Sequence, residues 1–122
     1  MENYNEKIAM LLKKVGVTPA HLGWEYITEA VKMVIEDKGM RYCNITRLYS
    51  VIARKHFVTA GSVERAIRHA IEGAFDKMPT DIRNAIFGNA VSRHTGKATN
   101  GEFITTLAEI ITTEPNNPIW SM

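Results

Sequence analysis

Cysteine is almost absent from this sequence. The lone Cys43 has no partner in the chain, which excludes an internal disulfide framework and fits a reducing, cytoplasmic setting. Long apolar runs are also missing. The longest span only a few residues, too short for a signal-peptide core or a membrane-spanning helix. There is no glycine-rich phosphate loop, no nucleophile elbow and no CxxC pair. The four histidines, His21, His56, His69 and His94, are scattered, and their spacing suggests no zinc site. His21 reads as a surface or packing residue, and Cys43 as a small buried one. The chain is therefore expected to have no catalytic residue, no metal and no cofactor. Repeats and low-complexity segments are lacking too. Net charge is small, +2, and by itself argues for no nucleic-acid partner.

What is present is helix. With 45% hydrophobic residues in 122, one domain over 1–122 can bury a core. Ile8, Leu11, Leu12 and Val15 line a first helix that Gly16 ends. Thr18-Pro19 predicts the start of a second, with Leu22, Tyr26, Ile27, Ala30, Val31, Val34 and Ile35 inward and a stop near Lys38-Gly39. Asn44 can cap a third, with Leu48, Ile52 and Ala53 inward. After a break at His56-Phe57-Val58, Thr59 caps a fourth, packed through Val63, Ala66, Ile67, Ala70, Ile71, Ala74 and Phe75. Pro79-Thr80 opens a short fifth helix carrying Ile82, Ala85 and Ile86, which Gly88 ends. Residues 88–98 have no apolar period and read as a loop. Thr99-x-x-Glu102 is a capping box before a last helix with Phe103, Leu107, Ile110 and Ile111 inward. The tail from about Pro115 is expected to fray. The fold class is all-α, about six helices.

Charge is unevenly placed. Residues 1–40 carry −1 and residues 70–122 carry −2, whereas residues 41–69 hold six basic side chains against Glu64 alone, a local +5. That basic block ends in the fourth helix. The short spacing between helices three and four is that of a helix-turn-helix, whose second helix lies in the major groove of DNA. Ala53 suits a close crossing, and Val63 and Ile67 suit the interface. The turn is the weak point. Many such motifs place Gly or Asn there, and Phe57 and Val58 disfavour positive φ. Either the turn has another geometry or these two residues pack inward.

With Val63 and Ile67 inward, Glu64, Arg65, Arg68, His69 and Glu72 point outward. Arginine offers paired donors that match guanine O6 and N7, and glutamate can accept from the cytosine amino group. The competing reading is a solvated helix face, since Glu64–Arg68 and Arg68–Glu72 are i,i+4 pairs. At the other end of the chain, Gly96-Lys97 precedes the capped helix. Lys97 and that helix N-terminus are expected to form a second phosphate contact.

"SVERAIRHAIE", then "IFG", then "GKATNGEFI" resemble the C-terminal DNA-binding effector domain of the stage zero sporulation protein A response regulator family. "GVTPAHLG", with a tyrosine and "EA" downstream, adds to the resemblance, which covers residues 8–111. The resemblance implies a six-helix DNA-binding domain of a transcription factor in endospore-forming bacteria, joined to an N-terminal phosphorylated receiver. It implies a dimer on tandem DNA boxes and a contact with RNA polymerase. It places Glu64, Arg65 and Arg68 at base-reading positions, His69 near the backbone and Lys97 on DNA. Departures are also present. The family's "TASRVERA" is here "TAGSVERA", so Ser62 stands where an arginine is usual, and "GKPTN" is "GKATN". The tail lacks the usual basic ending, and no receiver lies within these residues.

The sequence thus reads as a sequence-specific, DNA-binding transcription regulator domain of the sporulation-initiation type. Its expected partner is double-stranded DNA rather than a membrane. The second reading is a protein-interaction module of the same fold. It would bind a regulator or polymerase subunit, as the missing arginine and the small net charge permit.

Overall fold

A computed structural model describes residues 4–37, 45–88 and 97–122. The expected stop at Lys38-Gly39, the Asn44 cap, Cys43, His94 and most of the 88–98 loop lie outside the described residues. Six helices occur among those described, with no strand: α1 (Tyr4–Val15), α2 (Leu22–Glu36), α3 (Ile45–His56), α4 (Ala60–Lys77), α5 (Thr80–Ile86) and α6 (Asn100–Thr113). A 3₁₀ turn, Pro118–Ser121, follows.

The helices share one hydrophobic cluster, and α2 runs through its middle, packing on α1, α3, α4 and α6. The apolar steps of three and four predict most of this core. Ile8, Leu11, Leu12 and Val15 are fully buried, as are Val63 and Ile67, and Ala53 is buried with them. Helix α1 ends in a left-handed glycine turn. Gly16 has φ 100°, and the N–H of Val17 donates to the Leu12 carbonyl at 2.9 Å, so Val17 folds back into the core.

Four expectations need correction. The second helix does not start at Thr18-Pro19. Those residues form a turn closed by the His21 N–H on the Thr18 carbonyl at 3.0 Å, and the helix begins at Leu22 with His21 as an N-cap that makes no side-chain bond. Proline presets a turn as readily as a helix start, and the carbonyl bond decided between them. Leu22, expected inward, is the first residue of the helix and 60% exposed. The tail is not frayed. Ile119 is fully buried, Asn117 donates to the Ala85 carbonyl at 3.1 Å, and the Trp120 indole donates to the Glu114 carbonyl at 2.8 Å. One branched apolar residue reaching the core offsets the entropy of ordering a short segment.

Between α3 and α4 only Phe57, Val58 and Thr59 intervene. The Val58 N–H donates to the Ala53 carbonyl at 3.0 Å, and Phe57 takes φ 58°. This is the left-handed helix ending that glycine usually supplies. Neither alternative expected for the turn holds. The geometry is the common one, and Phe57 is 95% exposed rather than packed.

Candidate nucleic-acid interface

Thr59 starts α4. Its Oγ1 accepts from the Ser62 N–H at 3.0 Å, and the two hydroxyls lie 2.9 Å apart. Ser62 is thereby tied into the cap. From there Val63, Ile67, Ala70, Ile71, Ala74 and Phe75 face the core. The opposite face holds Arg65, Arg68, His69 and Glu72 exposed and Glu64 half-buried, as the apolar spacing requires. Gly23 on α2 seats this helix. A Cβ there would stand 2.6 Å from the Ala66 carbonyl oxygen and 2.7 Å from the Ala70 Cβ, so the two backbones touch.

The two arginines differ. Arg65 makes no ion pair among the described residues, whereas Arg68 lies between two glutamates, with Nη1 3.1 Å from Glu64 Oε1 and Nε 3.6 Å from Glu72 Oε1. One turn beyond Glu72, Asp76 holds the Lys97 ammonium at 3.2 Å. This last pair brings the residue before α6 onto α4.

Helix α6 begins beside the same surface. Its capping box is complete: the Glu102 N–H donates to Thr99 Oγ1 at 3.2 Å, and the Thr99 N–H donates to Glu102 Oε1 at 2.8 Å. The box satisfies two donors and brings a carboxylate to the positive end of the helix, which leaves this terminus less open to phosphate. Asn100 then ties three helices together. Its side-chain amide donates to the Tyr49 hydroxyl at 2.9 Å and to the Glu64 carbonyl at 3.3 Å. Burial pushes the Tyr49 hydroxyl above its ordinary pKa, the Asn100 hydrogen bond opposing it. Tyr49, Glu64, Arg68, Glu72, Lys97 and Asn100 line a cleft of about 680 Å³ between α4 and the start of α6.

Behind the turn, Glu29 of α2 meets the end of α3. His56 Nε2 donates to Glu29 Oε2 at 2.6 Å, and the Lys55 ammonium lies 2.5 Å from Oε1. The His56 ring also meets Tyr26 edge to face, 5.1 Å between centroids. Burial pushes the Glu29 carboxyl up, but the hydrogen bonds and charges of Lys55 and His56 outweigh this and hold it below its ordinary value. Glu25, Glu29 and His56 have ligand atoms within 4.8 Å of one another, a set that could in principle hold a cation. Lys55 already neutralises Glu29.

Sequence reasoning missed the Glu29–Lys55–His56 cluster, the Asn100–Tyr49–Glu64 tie and the Asp76–Lys97 pair. All three join residues more than 20 positions apart, so no local spacing signals them.

The family model for the sporulation initiation factor Spo0A C terminal matches residues 8–111, most of the chain. The chain belongs to that family. The Spo0A C-terminal family is a DNA-binding regulatory family rather than an enzyme family, and the all-helical fold of this member fits it. No helix among the described residues is long and apolar enough to cross a membrane.

Proposed function

We propose that the 122 residues act as one sequence-specific DNA-binding effector domain that reads the major groove with α4. The observation that carries this reading is the presentation of Arg65, Arg68 and His69 on the outer face of a helix whose inner face is locked in the core. Arg65 and Arg68 would read guanines, Glu64 would accept from cytosine, and His69 and Ser62 would lie near the backbone. Lys97, which lines the same cleft, would add a contact beyond the recognition helix. On this reading the protein works in the cytoplasm, without enzymatic activity. It pairs on tandem boxes and touches RNA polymerase, as the sequence resemblance implies.

The test is selection of duplexes from a random-sequence pool, followed by affinity measurements across salt concentrations. A preferred sequence should emerge, and binding should weaken steeply as salt rises. No enrichment, and no duplex bound even at low salt, would favour the protein-interaction module. The fully exposed Phe57 side chain is the feature that suits that second reading.

A further inference from the structure

Arg68 and Lys97 are cations that DNA phosphates would attract, yet both are held by acids of α4 itself. Glu64, Arg68, Glu72 and Asp76 follow one another at steps of four, so they form one stripe along the helix. Lys97 closes the stripe from the start of α6, on Asp76. All of these side chains are partly or largely exposed, and exposed pairs add little to fold stability. Their effect falls instead on whatever approaches the stripe.

We infer that Glu72 is a specificity-determining residue, and that Glu72 and Asp76 act as internal counter-ions that hold Arg68 and Lys97 back from DNA of arbitrary sequence. The inference rests on the DNA-reading role proposed above. A phosphate that draws Arg68 away from Glu64 and Glu72, or Lys97 from Asp76, leaves bare carboxylate beside a polyanion. On random sequence the exchange gains one ion pair, loses another and adds repulsion. On a matched site the arginine also gains paired hydrogen bonds to a base, and these offset the exchange. Glu72 therefore penalises phosphate-only binding more than base-specific binding, whereas Asp76, whose Lys97 meets phosphate on any duplex, lowers affinity for both alike. Arg65, which lacks such a partner among the described residues, is left to make first contact.

The test compares the protein with Glu72→Gln, Asp76→Asn and the double variant on a duplex obtained by selection and on random duplex, across salt. Glu109→Gln, which removes an equal charge from the exposed side of α6, is the control. For each carboxylate lost from the stripe, affinity for random duplex should rise on the order of fivefold. For Glu72→Gln, affinity for the selected site should rise less, so the ratio of the two falls; for Asp76→Asn the two should rise alike. The salt slope on random duplex should steepen by up to about 0.9 for each cation released. An equal rise on both duplexes for Glu72→Gln, no rise on either for both variants, or the same change in Glu109→Gln overturns the inference while leaving DNA reading intact. Failure of the unaltered protein to bind any duplex overturns the DNA reading, and the inference with it.

Discussion

Gly23 of α2 faces the carbonyl of Ala66 so closely that a Cβ on Gly23 would lie 2.6 Å from its oxygen. The atom it would meet is backbone, which cannot rotate away. Gly23→Ala is expected to destabilise the fold by about 1–3 kcal/mol, as overpacking does. It should also tilt α4 away from α2. Denaturant midpoints measure the first effect. A loss of DNA affinity in the still-folded variant, under conditions well below its midpoint, measures the second.

Phe57 carries positive φ with its ring in solvent, so its side chain contributes strain and little packing. A left-handed conformation costs a non-glycine residue about 1–2 kcal/mol, and glycine returns part of that as unfolded-chain entropy. Phe57→Gly should therefore stabilise the fold by about 0.5–1 kcal/mol, read as a higher Tm. A lower Tm would mean the ring supports the turn.

Glu29 ties α2 to the end of α3 through His56 and Lys55. Its carboxyl is held below its ordinary value of 4.5, so the stability it contributes is present above about that pH. It is lost as pH falls through the folded-state value. Glu29→Gln should cost on the order of 1 kcal/mol near neutral pH. The gap from the unaltered protein should close in acid. Unfolding curves taken from about pH 7 down to about pH 3 would show the convergence. A gap independent of pH would assign the loss to packing.

Arg65→Ala and Arg68→Ala should each cost about 1–3 kcal/mol on a selected site and relax preference at one position. Equal losses on selected and random duplex would make them phosphate contacts. Glu64→Ala should reduce discrimination more than it alters binding to random DNA. If every duplex simply binds more tightly, Glu64 serves only as the partner of Arg68, whose guanidinium it holds at 3.1 Å. Lys97→Ala should flatten the salt slope by about 0.9 if the ammonium leaves Asp76 for a phosphate.

Most of this protein's helices follow from local chemistry. The apolar steps in Ile8–Val15 and Val63–Phe75, the Thr59 cap and the Thr99–Glu102 box act within one or two turns, and such short-range rules determine a helix, its bounds and its buried face. The outward set on α4 follows as the complement of its buried set. Local backbone hydrogen bonds and contact across the fold decided the rest. The start of α2 moved to Leu22 because a carbonyl bond captured Thr18-Pro19, and the tail became ordered because Ile119 reached the core. Phe57 holds a glycine's conformation because the Val58 N–H closes on Ala53 where the chain must turn into α4. The polar contacts at the interface divide in the same way. Arg68 between Glu64 and Glu72 is visible in the spacing of one helix, but Lys97 on Asp76 and Asn100 on Tyr49 are not. They exist only because packing through α2 brings the start of α6 beside α4, and residues far apart in sequence have no period by which to announce that they will meet.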